Sequence, residues 1–148
     1  MPFDERELFA RLIQCEAGGE GEDGMKAVAT VVMNRARITF GEFFRVNQGG
    51  SIRNIIMQPG QFTCTVTEKN GVPNPQNIYN MRPEQIHYDI VDWALSGNRL
   101  LGVDHSLYFY APFDLPCTPY FPPPNYGVIH NRIGGHCFYI PTVHYAST

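Results

Sequence analysis

No stretch of this chain approaches the ~20 consecutive apolar residues that a bilayer-spanning helix needs, so a membrane span is not expected. There is no block of lysine and arginine to suggest nucleic acid, and no acidic run to suggest a solvating tail. The 148 residues carry 11 basic and 14 acidic side chains, for a formal net charge of -3. The four cysteines, Cys15, Cys64, Cys117 and Cys137, contain no CxxC pair. A zinc site is therefore not expected, despite five histidines, and no cofactor is implied. Nor do four cysteines in a chain of this size make a disulfide scaffold. Cys117 and Cys137 flank a proline-rich segment where one bridge is feasible, with buried or free thiols the equal alternative. The N-terminus, Met1 to Glu7, is charged and lacks an apolar h-region. That predicts synthesis in the cytosol without Sec export. No repeat or compositional break divides the chain, and one domain over residues 1–148 is expected.

What is present begins with Leu8 to Gly21. Asp4 with Glu7 three residues on is a capping-box-like start, and Leu8, Phe9, Leu12 and Ile13 form an apolar helical stripe. Glu16 continues the Leu8–Leu12 row. A carboxylate in that place is either a solvated group at a frayed helix end or a group held in a partly desolvated cleft. In a cleft its pKa would rise, as it would beside a helix C-terminus, and that suits a general acid near neutral pH. After the glycine turn, Met25, Val28, Ala29, Val32 and Ala36 predict a central second helix closed by Asn34 and Arg35, read as capping and surface charge. Thr39 to Gly50 reads as a loop with exposed phenylalanines, and Ser51 caps a short helix over 52–57. Phe62 to Thr67 reads as a β-prone run and Lys69 to Asn80 as loop. Pro83 opens a further amphipathic helix that ends at Ser96-Gly97-Asn98. Ser106 to Tyr110 is a strand candidate. Leu115 to Tyr126 holds too many prolines for a helix or central strand. Val128 to Tyr139 reads as a hairpin turning at Gly134-Gly135. Helices first and short strands last argue for α+β.

Four groupings could carry chemistry. Glu16 with Glu20 supplies the two carboxyls that glycosidic cleavage commonly uses, although Gly18-Gly19 between them forbids assuming helical geometry. Cys15 with a histidine could form a nucleophilic pair, but a cysteine at a helix C-terminus beside an acid lacks the surroundings that lower a thiol pKa. His136, entering a strand after Gly134-Gly135, could line a cleft or simply bond backbone. The aromatics Phe62, Trp93, Tyr108, Tyr110, Tyr120, Phe121 and Tyr126 could stack on sugar rings or fill the core.

Four segments occur in order: Leu12 to Gly21 with Glu16-Ala17-Gly18-Gly19-Glu20, Val28-Ala29 to Asn34-Arg35, Pro59-Gly60-Gln61-Phe62-Thr63, and Gly135-His136-Cys137-Phe138-Tyr139. Together they resemble the SleB/CwlJ-type cell wall hydrolases, the spore cortex-lytic enzymes, and most of all the short CwlJ-like branch. The resemblance implies a lysozyme/lytic-transglycosylase-like α+β fold, with N-terminal helices followed by a small β-hairpin region. It implies Glu16 as catalytic acid and Glu20 as the second motif carboxylate. It also implies Gln61, Phe62, Thr63, His136 and Tyr139 as substrate-binding residues in the shared segments. The implied substrate is spore cortex peptidoglycan containing muramic δ-lactam, cut during germination at the coat–cortex boundary, with a spore coat protein as partner. Lytic transglycosylation needs a single carboxylate. The alternatives are a muramidase or glucosaminidase using a second acid, Glu20 or Asp104, and a non-catalytic peptidoglycan-binding coat protein. The chain departs from the family pattern in Cys15 directly before Glu16 and in its longer proline-rich Leu115–Tyr126 segment.

Overall fold

The computed structural model describes residues 2–148. Helix α1 (Glu5–Ala17) starts where the sequence predicts, with the Asp4 carboxylate accepting the Glu7 backbone N–H at 2.8 Å. Its Leu8, Phe9, Leu12 and Ile13 are fully buried, each contributing about 1.5–3 kcal/mol of apolar burial. Helix α2 (Gly21–Arg37) is buried around its whole circumference from Gly24 to Ala36, except at Lys26. A helix so enclosed forms the axis of a core. Around it pack α1, α3 (Gly41–Asn47), α4 (Ile52–Met57) and α5 (Gln85–Leu95). Ser51 caps α4, as expected, by accepting the Asn54 N–H.

The second half holds the sheets. A minimal hairpin joins β1 (Glu68–Lys69) to β2 (Val72–Pro73), and an antiparallel sheet orders β3 (Tyr108–Tyr110), β5 (His136–Pro141) and β4 (Gly127–Ile133), with β5 central. Its register sets Tyr108 opposite Tyr139, Phe109 opposite Phe138 and Tyr110 opposite Cys137. Because side chains alternate along a strand, Phe109, His136 and Phe138 share one face and Tyr108, Tyr110, Cys137 and Tyr139 the other. A short helix, α6 (Val143–Ala146), follows; the hydroxyl of its Tyr145 donates to the Phe40 carbonyl and accepts the Phe43 N–H.

Several expectations are corrected. The Thr39–Gly50 stretch is largely the helix α3, and Phe43 is 1% exposed while Phe40 and Phe44 stay outside. Tyr145 from the far end of the chain supplies the cover for Phe43, which no local pattern reveals. The run from Phe62 makes no strand. The Phe62 carbonyl accepts both the N–H and the hydroxyl of Thr65, closing a 3-10 turn over Thr63–Thr65. Helix α5 begins at Gln85, two residues after Pro83, where Glu84 and His87 bond each other's backbone N–H groups.

Of the two outcomes left open for Cys117 and Cys137 the bridge is formed, and a second bridge at Cys15 was not expected. Cys15 is bonded to Cys64, and Cys117 to Cys137. The bridges close segments with sequence separations of 49 and 20 residues. In the chain-entropy picture they stabilise the fold by about 4 and about 3 kcal/mol. The first ties the end of α1 to the Thr63–Thr65 turn. The second fastens the proline-rich segment to the central strand.

Candidate active site

Glu16 lies in the last turn of α1 beside a cleft of about 520 Å³. The turn holding Gln61, Phe62 and Thr63 forms one wall, and the β3–β5 face with Phe109 and His136 forms another, with Tyr110, whose side chain belongs to the opposite face, at its edge. Helix α1 reaches this point because its apolar row is buried up to Leu12 and Ile13, so the next residue on the row emerges at the cleft edge. The Cys15–Cys64 bridge then holds the opposite wall against it.

Burial raises the Glu16 pKa from an ordinary 4.5 to about 7; the Cys64 backbone amide and the Arg35 guanidinium act against the rise. Oε1 is buried and has no hydrogen-bond partner among the described residues. The group is thus a carboxyl that keeps its proton near neutrality and has an oxygen free for a ligand. Among the described residues lining the cleft, Glu16 alone carries a carboxylate.

Arg35 is 4% exposed and lies in the cleft wall, not on the surface as its place near a helix end suggests. Its Nε donates to the Leu107 carbonyl at 2.7 Å and Nη1 to Gln61 Oε1 at 3.3 Å. The guanidinium lies over the rings of Phe43 and Phe62, at 4.5 and 5.3 Å from their centroids. Burial lowers its pKa to about 10, so it stays charged at neutral pH. The preceding Asn34 is buried too, donating to the Asp104 and Ser106 carbonyls. Neither residue caps α2 with its side chain. An uninterrupted apolar helix running to Asn34-Arg35 was the signal that both are enclosed.

Glu20 occupies the N-cap position of α2 but makes no side-chain capping bond. Its carboxylate turns toward the Gly134–Gly135 turn, and its Oε1 is 3.4 Å from His136 Nδ1. A Cβ placed on Gly135 would come within 2.9 Å of that oxygen, so glycine permits the approach. Burial lowers the His136 pKa, and Glu20 opposes the shift. The imidazole meets the Phe109 ring edge-on, with centroids 5.3 Å apart. Glu20 therefore supports the cleft through His136 and does not itself line it.

The cleft gathers Glu16, Gln61, Phe62, Thr63 and His136. Tyr139 does not join them. It is fully buried on the other sheet face, an odd number of residues from His136, and its hydroxyl bonds Thr118. Asp104 is also elsewhere, paired with His130 Nε2 at 2.9 Å. Cys15 is bridged and holds no free thiol for nucleophilic attack. Trp93 packs away from the cleft, near Lys26. Tyr110, one of the aromatics that could stack on sugar, does line the cleft, whereas the lining residues Arg35, Phe109, Ala111 and Phe113 had not been singled out for that role.

A family model described as Cell Wall Hydrolase matches residues 19–139, a span that includes Glu20 and begins just after Glu16. The chain is 30% identical over 138 residues to the cell wall hydrolase CwlJ of Halalkalibacterium halodurans, covering 92% of this chain and 85% of that protein. It is 29% identical over 137 residues to CwlJ of Bacillus subtilis, covering 92% and 84%. Among solved structures it resembles the catalytic domain of the germination-specific lytic transglycosylase SleB from Bacillus anthracis. There the TM-score is 0.64 at 20% identity, over 93% of this chain and 97% of the other. The SleB catalytic domain of Bacillus cereus gives 0.64 at 23% identity, over 91% and 88%. At these identities the structural likeness is one of fold.

Proposed function

The chain belongs to the cell wall hydrolase family, and we propose that it cleaves peptidoglycan glycan strands by lytic transglycosylation, with Glu16 as general acid and then general base. The observation that carries this reading is a single desolvated carboxyl, titrating near 7, in a cleft with no second carboxylate among the described residues on its walls. At pH 7 such a group is about half protonated, against about 1 in 300 for a carboxyl titrating at 4.5.

In the first step Glu16 gives its proton to the glycosidic oxygen as the C1–O bond breaks. Positive charge develops at C1 as in other glycosidic cleavages. The Glu16 carboxylate left behind is stabilised by the Cys64 amide and by Arg35, the two groups that act to lower its pKa. The C6 hydroxyl of the same sugar then attacks C1 and passes its proton to Glu16. The acid is restored, a 1,6-anhydro end forms, and no water is consumed.

The names of the CwlJ and SleB relatives support the further reading that the substrate is spore cortex and the occasion germination. Two disulfides suit a location outside the reducing cytosol, such as the coat–cortex boundary. One observation favours the hydrolytic alternative. His136 lines the cleft with Glu20 behind it, and burial lowers its pKa, which disfavours the protonated imidazole, so the pair could take a proton from water. Mass analysis of products from purified cortex fragments decides between them. The proposal expects 1,6-anhydro ends, one water lighter than the hydrolysis product. Ends that borohydride reduces would overturn it in favour of a water-using hydrolase.

A further inference from the structure

The bridge between Cys15 and Cys64 joins the residue before Glu16 to the turn whose Cys64 amide acts on the Glu16 carboxylate. We propose that this cysteine pair is a thiol–disulfide exchange site that switches the cleft: a dithiol reductant opens the bridge and silences cleavage, and oxidation restores both. The inference rests on the reading of Glu16 as the acid of the cleft.

The wall that carries the bridge is lightly held. Of residues 57–76, only Phe62 and Cys64 are buried, and residues 66–73 are all exposed. Burial of the Phe62 ring anchors the wall at one point, and the bridge to α1 anchors it at the other. Scattered hydrogen bonds add to these, such as Arg35 Nη1 to Gln61 Oε1 at 3.3 Å and Gln76 Nε2 to the Cys15 carbonyl at 3.0 Å. Asn74 Nδ2 donates to the Thr63 and Val66 carbonyls, but all three residues belong to the same stretch. Segments with so few buried contacts open locally at low free energy, and such an opening gives a thiol access to the two sulfurs. The other bridge ends on the central strand, where Cys137 is fully buried and pairs with Tyr110 on one side and Arg132 on the other. Its Cys117 end is only partly covered, so both bridges have to be followed in any test.

In the exchange a reductant thiolate attacks one sulfur and the Cys15–Cys64 bond breaks, leaving a mixed disulfide and one protein thiolate, which takes up a proton. The second thiol of the reductant then displaces the other protein sulfur. The two hydrogens of the dithiol end on Cys15 and Cys64, which are reduced by two electrons, and the dithiol leaves as its disulfide. With the link gone, the Gln61–Thr63 wall is held by Phe62 and a few hydrogen bonds. Water reaches Glu16, and the desolvation that keeps its proton near neutrality is relieved. The other titratable groups lining the cleft, Arg35 of α2, Tyr110 of β3 and His136 of β5, are not on that wall and stay in place. The reduced chain is then latent wherever thiols are kept reduced, and becomes active on oxidation.

The test treats the full chain with dithiothreitol under native conditions and maps the freed thiols by alkylation and mass spectrometry, so that each bridge is read separately. Cys15 and Cys64 are expected to become free while the far-UV circular dichroism is unchanged. Fragment release at pH 7 should fall about 100-fold, the ratio of protonated fractions for a carboxyl titrating near 7 and one near 4.5. It should return on reoxidation with oxidised glutathione. Cys15→Ser/Cys64→Ser should match the reduced parent and ignore dithiothreitol. A second measurement does not need activity: the stability difference between the parent and Glu16→Gln varies with pH while Glu16 is desolvated, and should become independent of pH in dithiothreitol. Full cleavage with Cys15 and Cys64 free, or a bridge that is reduced only as the chain unfolds, overturns the switch. An unchanged pH dependence in the reduced protein also overturns it. That holds even where the oxidised parent releases no fragments, a result that by itself counts only against the catalytic reading.

Discussion

Replacing Glu16 by glutamine should stabilise the protein increasingly as the pH rises. The carboxyl titrates near 7 in the folded chain and near 4.5 once unfolded and solvated. Between those values the folded state binds more protons than the unfolded state, so the stability of the parent protein falls with rising pH. The loss begins above pH 4.5 and is complete above about pH 7. Each pH unit of separation corresponds to about 1.4 kcal/mol, so the full loss is about 3 kcal/mol. Glutamine does not titrate and has no such loss. Any fixed offset, such as an imperfect fit of the amide near the Cys64 N–H, is the same at all pH values. The remaining titrating groups are shared by both proteins and cancel. Urea denaturation of both proteins at half-unit steps from pH 4.5 to 8 measures the difference directly. It should be smallest at the acid end, about 1.4 kcal/mol more favourable to Glu16→Gln at pH 5.5, and about 3 kcal/mol more favourable at pH 8. A difference constant across that range would mean that Glu16 titrates normally, and the desolvated acid would be lost as an explanation.

The same ionisation should limit turnover, so cleavage of cortex fragments is expected to fall about tenfold per pH unit above 7, checked by a pH–rate profile; a flat profile to pH 9 would contradict it. Glu20→Gln should reduce the rate modestly while Glu16→Gln abolishes it, and equal losses from both would favour a mechanism with two carboxylates. Gly135→Ala crowds only the end of the Glu20 side chain, so denaturation should change little while the rate falls to the Glu20→Gln level; full activity would show that the Glu20–His136 contact is dispensable. Replacing Cys15 and Cys64 together by alanine should cost about 4 kcal/mol in denaturation and slow cleavage, because the Gln61–Thr63 wall is no longer tied to α1; an unaltered stability would refute the role assigned to that bridge.

Much of the helical half was legible from local chemistry. Asp4 and Ser51 cap where their spacing says, the buried stripe of α1 follows its period, and α2 is enclosed as its apolar circumference predicts. The hairpin turning at Gly134–Gly135 is legible for the same reason, since its signal lies within a dozen residues. Glu16 itself could be singled out because it continues a row that is otherwise apolar. The motif order further marked the chain as one of the cell wall hydrolases.

The sequence alone therefore determined α1, α2, α4, α5, the hairpin and the residue to suspect, because capping, periodicity and turn preference act over a few neighbouring positions. Tertiary structure decided what those residues face. Whether Glu16 is solvated or desolvated depends on a wall 45 or more residues away, brought in by a cysteine pairing that spacing leaves open. Arg35 reads as a surface cation until Leu107, Gln61 and Phe43 close around it. The Glu20 side chain reads as a cap until the distant hairpin turns its glycines toward it. Phe43 is buried by Tyr145, 102 positions on, together with Tyr108 and Arg35. Burial, pKa and pairing are set by everything that surrounds a group in space, and contacts between residues so far apart in the chain leave no periodic trace in the sequence.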